Sequence, residues 1–272
     1  MHQVPGAANV RILALLLIAI VISAADERLT ITGSSTVHPL AAEIAKRYES
    51  IHPGVRIDVQ TGGSTRGVTD ARSGRAQIGM ASRALKDDEH DVTAITIALD
   101  GIACIVHRDN PVRSLTRAQV VAVFTGAVTN WNDVGGPDLA IAVVNKAEGR
   151  STLELFLHHF GLKNGQIRAA AVIGDNAQGI KTVAASPAAI GYVSIGSAQT
   201  DADAGVPIRL LALDGAMPSV AAVAAGSWPI ARPLNLVVKG EPSGHVAGFL
   251  TLARSATVDD LVRELAFVPP PR

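Results

Sequence analysis

The chain has 272 residues, of which 48% are hydrophobic, 18% charged and 3% aromatic, and its formal net charge is zero. That length suffices for two domains with sizeable cores, and the composition excludes wholesale disorder. The neutral balance and scarce aromatic rings exclude a role resting on a basic nucleic-acid face, a membrane-surface patch or base stacking, while a small anion needs only local N–H groups.

Residues 1–25 read as a cleaved signal peptide. Arg11 is the one cation before Asp26, an apolar run follows from Ile12 to Ile22, and Ser23-Ala24-Ala25 supplies small residues at the exit. The run is short for a membrane span. The single cysteine, Cys104, lies in apolar "GIACIVH" far from that segment, so it reads as a buried hydrophobe and neither a disulfide half nor a lipid carrier. The expected product is exported, soluble and not a lipoprotein.

Beyond the signal, strands and helices alternate. "RLTIT" reads as a strand. "VHPLAAEIAKRYESI" reads as a helix with Leu40, Ile44, Tyr48 and Ile51 on one face. "VRIDVQ" is a strand, "TGGSTRG" a turn, and "VTDARSG" a short helix closed by Gly74. "AQIGMAS" and "DGIACIVH" are strands, and "LTRAQVVAVFTG" is a helix from beside Thr116 to Gly126. "LAIAVVN" is a strand, followed by the helix "STLELFLHHFG" with Leu153, Phe156, Leu157 and Phe160 on one face. "AAIGYVS" and "PLNLVVKG" are strands, and "GHVAGFLTLAR" and "VDDLVRELA" are the last helices. "SVAAVAAGSWPIARP" reads as a hinge or crossover region. The alternation predicts an α/β architecture with mainly parallel sheets.

Three strand-to-helix turns share one chemistry: "LTITGSSTVHPL", "IDVQTGGSTRGV" and "AVVNKAEGRSTLEL". Each sets Gly beside adjacent hydroxyl residues where a helix opens. A helix N-terminus offers unpaired N–H groups and a positive dipole end. Gly admits close approach of a ligand, and Ser and Thr add rotatable donors. Converging, three such turns would cage a tetrahedral oxyanion, with Arg66, Arg83, Lys146 and Arg150 nearby. Singly, each turn is as well explained by Ser or Thr capping a helix, worth about 1 kcal/mol.

Enzyme readings lack their motifs. No G-x-x-x-x-G-K-[ST] or G-x-G-x-x-G occurs, no G-x-S-x-G, and none of the six lysines follows Ser at S-x-x-K spacing. His158 and His159 are adjacent, not an i, i+4 metal pair, and His38 has no visible orienting partner. No catalytic, metal or cofactor residue is assigned.

The stretches "TGSSTVHPLAAEIAKRYESIHPGVRIDVQTGGSTRGV", "AQIGMASR", "VFTGAVTNWNDVGG", "GIKTVAASPAAIGYVS", "WPIARPLNLVV" and "AFVP" resemble the substrate-binding proteins of phosphate ABC transporters. The order and spacing agree from about Leu29 to Pro269. The resemblance implies a type II periplasmic-binding-protein fold: two α/β lobes joined by two crossover strands, with the ligand cleft between them. The crossovers would lie near "GIACIVH" and "WPIARPLNL". One lobe would combine 26–106 with 229–272, and the other would be 107–228.

Carried over residue by residue, the resemblance implies phosphate ligands at Ser35, Thr36 and the Val37 N–H, then Ser64 with Thr65, then Ser82 or Arg83. The third loop in the family commonly reads R-x-D/E-G-S-G-T. Here Glu148, Gly149 and Thr152 match, whereas Lys146, Arg150 and Ser151 depart from it. Lys lacks the planar fork of Arg, which Arg150 would restore from another position. Glu148 is expected either to accept the hydrogen that phosphate keeps and sulfate lacks, or to pair with Lys146. The implied protein is a monomeric periplasmic phosphate carrier serving a membrane permease, without enzymatic activity. A binder of sulfate, molybdate or arsenate, a phosphate sensor, and an exported phosphate-ester hydrolase are the alternatives.

Overall fold

The computed structural model describes His2 and residues 27–271, so the expected signal segment, His2 apart, lies outside the described residues. In chain order the first half runs β1 (Glu27–Gly33), α1 (His38–Ile51), β2 (Val55–Thr61), α2 (Ser64–Ser73), β3 (Ile78–Ala81), β4 (Thr93–His107), β5 (Ser114–Leu115), α3 (Arg117–Thr125), β6 (Ala142–Lys146) and α4 (Ser151–Phe160). The second half runs β7 (Ala171–Ile173), α5 (Asn176–Ala184), β8 (Ala189–Ser194), α6 (Ile195–Asp203), β9 (Ile208–Leu210), β10 (Ala212–Leu213), α7 (Val220–Ala224), β11 (Ala231–Val238), α8 (Gly244–Arg254) and α9 (Asp259–Glu264).

Helix α1 forms as its spacing predicts: Leu40, Ile44 and Tyr48 are buried. Ile51, expected on the same face, is 61% exposed because the helix ends there and the face turns out to solvent. Helix α2 starts at Ser64, one turn before the expected start, so the supposed turn residues "STRG" are already helical. Strand β4 starts seven residues before "DGIACIVH" and runs unbroken for 15 residues.

The main sheet runs in the order β2-β1-β3-β11-β4-β8-β6-β7, with β9 also paired to β4. The outer strands are parallel, as expected: β1 with β2 and β3, and β6 with β7 and β8. The centre differs. Strand β11 is antiparallel to β3 and β4, and β4 is antiparallel to β8. The long β4 pairs with β11 through Thr93–Gly101 and with β8 from Ile102 onward, so it serves two strand groups in succession. Gly33 at the end of β1 has φ +134°, and a Cβ there would stand 2.3 Å from the Met80 carbonyl oxygen. Only glycine lets β1, β3 and α2 close to that distance.

Two hydrophobic cores flank the crossing. One gathers residues from Leu29 to Ala98 and from Leu234 to Phe267. The other gathers residues from Ile102 to Ile230 around Trp131, Phe124, Phe156 and Tyr192. In the second, Phe156 stacks on Tyr192 at 3.9 Å and 10°, and the Tyr192 hydroxyl donates to Asn145 Oδ1 at 2.6 Å. The stack carries α4, and with it Ser151 and Thr152, against β8 and β6. Phe156→Ala removes a fully buried ring and should lower unfolding free energy by about 3–5 kcal/mol in urea titrations. A loss below about 1 kcal/mol would mean that this stack does not hold α4.

Candidate functional site

The three hydroxyl-rich turns meet. They follow β1, β2 and β6 and lead into α1, α2 and α4. Their N-cap residues are Val37, Gly63 and Arg150, none of which makes a side-chain cap bond. Elsewhere Thr116, Asp175, Ser194 and Ser219 cap α3, α5, α6 and α7 through their side chains. Ser64 and Ser151 stand one position past the cap, inside the first turn. Simple capping therefore does not explain these hydroxyls. They point instead into a shared buried cluster.

Ser64 Oγ and Ser151 Oγ lie 2.9 Å apart, and Ser151 Oγ is 2.6 Å from Ser82 Oγ. The Ser82 amide donates to Ser64 Oγ at 3.1 Å, and Ser34 Oγ donates to Ser82 Oγ at 2.9 Å. The guanidinium of Arg232 organises the rest. Its Nη1 donates to Thr152 Oγ1 at 3.0 Å and to Ser82 Oγ at 3.3 Å. Its Nη2 donates to Thr36 Oγ1 at 3.2 Å and to Asp100 Oδ2 at 2.9 Å, and its Nε donates to Asp100 Oδ2 at 3.2 Å. All five N–H groups of the fork are used. Asn176 at the start of α5 donates from Nδ2 to Thr36 Oγ1 at 3.0 Å. Ser34, Thr36, Ser64, Ser82, Ser151, Thr152, Asn176, Asp100 and Arg232 are all buried.

Of the sequence candidates, Thr36, Ser64, Ser82, Ser151 and Thr152 come together here. Val37 caps α1 beside them, its amide donating to Ser34 Oγ at 3.4 Å. Ser35 is only half-buried, and its neighbour Ser34 takes the place expected for it. Thr65 is exposed, bonded to Glu154 Oε1 at 3.3 Å, with its amide on the Gly149 carbonyl. Arg83 is buried but turned away. It holds Glu89 with two bonds of 2.7 and 2.8 Å, and its Nε lies 3.1 Å from Glu154 Oε2. Glu148 is exposed and accepts from Asn164 Nδ2 at 3.0 Å, so it neither joins the cluster nor pairs with Lys146. The loop reverses at Gly149 (φ +77°), which turns Glu148 outward while Ser151 and Thr152 turn in.

Lys146 is buried behind the cluster, its Nζ donating to the Asp175 carbonyl at 3.2 Å. Burial, aided by the nearby charges of Arg232 and Arg150, pushes its ammonium down to about 7. Burial likewise lowers Arg232, against the pull of Asp100. Arg150 is half-buried, and its Nη1 is buried without a hydrogen-bond partner. The site is thus a closed, donor-rich cluster with excess positive charge.

Sequence reasoning missed Ser34, Asp100, Asn176 and Arg232. Arg232 stands inside the crossover stretch "WPIARPLNL" and Asp100 just before "GIACIVH". A charged residue in each of two otherwise apolar crossover strands was the available signal. Asn176 opens a fourth strand-to-helix turn, "VIGDNAQG", which has no hydroxyl residue and is capped by Asp175, so the pattern shared by the other three does not reveal it.

A family model described as "PBP superfamily domain" matches residues 22–257. The phosphate-binding protein PstS of Bacillus subtilis is 29% identical over 251 residues, covering 90% of this chain and 81% of that protein. A phosphate-bound putative phosphate ABC transporter substrate-binding protein from Clostridium perfringens has a similar structure, with a TM-score of 0.84 at 29% identity. It is matched over 90% of this chain and 100% of its own. An ABC-type phosphate transport receptor from Vibrio cholerae gives a TM-score of 0.72 at 29% identity over the same shares. The fold is the type II periplasmic-binding-protein fold.

Lys146 makes stability depend on pH. Its folded value near 7 lies below the ordinary 10.5 of an unfolded chain. Between those values the unfolded chain holds a proton that the folded one has shed, so stability from this group rises with pH. Below about 7 both states are charged and the burial penalty is complete. Relative to Lys146→Met, the unaltered protein should gain stability from pH 7 to 10, with a slope approaching about 1.4 kcal/mol per pH unit. Parallel curves of unfolding free energy against pH for the two proteins would show that Lys146 stays charged on folding.

Proposed function

Because this chain belongs to the PBP superfamily domain family, we propose that it is a periplasmic, monomeric, non-catalytic carrier of inorganic phosphate that serves the membrane permease of an ABC transporter. The observation that carries this reading is the convergence of three helix N-termini without side-chain caps on one buried cluster of six hydroxyls, three of which accept from the buried Arg232 guanidinium. That arrangement suits a small, fully enclosed oxyanion. It offers hydroxyl and peptide N–H donors, a fixed cation and a low-dielectric surrounding. It offers no nucleophile paired with a base. Among the described residues no helix is long and apolar enough to cross a membrane.

In this reading phosphate is held by Thr36, the Val37 amide, Ser64, Ser82, Ser151 and Thr152, with Lys146 and Arg150 adding charge. Thr65, Arg83 and Glu148 hold loops in place from outside the cage. The lobes are 26–106 with 229–272, and 107–228. The chain does divide between two cores, but the switch on β4 falls at Gly101/Ile102, five residues before the first-lobe boundary at 106, so Ile102, Ala103, Ile105 and Val106 pack with the second core, and on the return it falls after Ile230. Closure of the lobes by a hinge motion at these two strands would bury the anion and present a combined surface to the permease.

A bound dianion would raise the Lys146 ammonium back toward its ordinary value. Binding above pH 7 should therefore take up a fraction of a proton. Calorimetric titration with phosphate at pH 8 in two buffers of different ionisation heat reads that uptake directly. Equal heats in both buffers would remove Lys146 from the site.

Ser151→Ala and Thr152→Val should each weaken phosphate binding about tenfold, one charge-assisted hydrogen bond apiece. The parent titration compares phosphate, sulfate, arsenate and molybdate. Clear binding of another anion with none of phosphate would overturn the reading.

A further inference from the structure

Asn176 stands apart from the residues assigned above. It is the first residue of α5, a nine-residue helix, and only 4% exposed. Its Nδ2 donates to Thr36 Oγ1 at 3.0 Å and to Ser197 Oγ at 3.4 Å. Its Oδ1 is buried with no hydrogen-bond partner. An unpaired buried acceptor is costly, and it persists where another interaction uses it.

The segment around Asn176 is held firmly. Asp175 Oδ1 accepts the Gln178 amide at 2.8 Å, and the Asp175 carbonyl accepts from Lys146 Nζ at 3.2 Å. The helix start therefore cannot swing to find the missing donor. The groups around the cage are mostly donors: the five N–H groups of Arg232, Arg150 Nη1 and Lys146, while the hydroxyl oxygens of Thr36, Ser82 and Thr152 already accept from Arg232. Asp100, the carboxylate paired with Arg232, is committed. Its Oδ2 takes Nε and Nη2 of Arg232, and its Oδ1 takes the Gly196 amide at 3.2 Å. Glu148, the expected acceptor, faces solvent.

Phosphate near neutral pH still carries at least one hydrogen, and sulfate carries none. A cage of donors holds either anion by its bare oxygens, but the O–H of phosphate needs an acceptor. We infer that Asn176 is a specificity residue of this site: its Oδ1 accepts the hydrogen that the bound anion retains. The inference rests on the phosphate reading and deepens it. A neutral amide oxygen does this without adding negative charge beside the anion, unlike the carboxylate expected at Glu148. The amide orientation follows from Nδ2, which has two hydroxyl oxygens to donate to. In the reversed orientation Nδ2 would face the anion as one more donor, and the selectivity effect would vanish.

The test measures phosphate, arsenate and sulfate affinities by competition titration for the unaltered protein, Asn176→Leu and Asn176→Asp. Arsenate retains hydrogen as phosphate does, so it serves as an internal control. In Asn176→Leu, phosphate and arsenate should weaken together by about tenfold while sulfate does not, so the phosphate-to-sulfate ratio falls. In Asn176→Asp, which keeps an accepting oxygen in the same shape, that ratio should hold or rise. Equal losses for all three anions in Asn176→Leu would overturn the inference, as would a fall in the ratio for Asn176→Asp. Should the Leu variant fail to fold in thermal unfolding, the Asp variant decides alone. Absence of phosphate binding by the unaltered protein is a different result: it sinks the phosphate reading itself, and the inference with it.

Discussion

The structure depends on one buried charge, the Arg232 guanidinium, placed where the chain crosses between its two cores. Both it and Asp100 are essentially inaccessible, with side chains 0% and 1% exposed. An isolated charge in such a place is prohibitive, and an ion pair there survives only if every remaining donor is satisfied. Here the register does that work. Strands β4 and β11 are antiparallel and set Arg232 opposite Asp100. A slip of one residue would turn Arg232 to the other face of the sheet and leave Asp100 buried alone. The bulge at Leu234/Asn235 adjusts the register only beyond that pair. The remaining N–H groups then recruit oxygens from both sides: Thr36 and Ser82 beside the first core, Thr152 beside the second.

The recruitment has a chemical consequence. A hydroxyl oxygen that accepts from a cation keeps its own hydrogen for another partner. Arg232 donates to Thr36, Ser82 and Thr152, and so biases all three toward donating in turn. Ser34 adds to the same order, because it accepts the Thr36 amide at 3.2 Å while donating to Ser82. Charge and proton order therefore have one source. The guanidinium supplies positive potential and also orients the neutral donors around it, which is why a cluster of common residue types becomes a directed site.

Much of this was legible in the sequence, and the parts that were not share a cause. Hydroxyl-rich turns at helix starts can be read from local pattern, so Thr36, Ser64, Ser151 and Thr152 were found. Their function as something other than caps needed the backbone, because Ser64 and Ser151 sit one residue past the cap position. Arg83 and Glu148 were misplaced because charge near a turn says nothing about direction. Arg83 meets Glu89 six residues on, and Glu148 is turned outward at Gly149. Asp100 and Arg232 are 132 residues apart and lie in crossover strands that read as apolar. Pairing between distant strands is the information that a single sequence with local periodicity does not carry. The same limit explains the antiparallel centre of a sheet expected to be mainly parallel.

Arg150 shows how the departures from the usual third loop are accommodated. Its side chain lies along two glycines. A Cβ at Gly63 would come within 2.9 Å of Arg150 Cδ, and one at Gly174 within 3.2 Å of Nη2. Gly63 also has φ +95° and would meet the Gly149 carbonyl oxygen at 2.6 Å. The second loop is thus shaped by backbone need and by the room that the third loop's arginine takes. Lys146, which stands where an arginine is usual, cannot fork; it spends its hydrogen bond on the Asp175 carbonyl and steadies the start of α5. The cationic role is thereby divided: Lys146 fixes the fourth helix start, Arg150 reaches the cage edge between two glycines, and Arg232 carries the centre. Division of this kind lets the third loop change its sequence without losing the positive potential of the site.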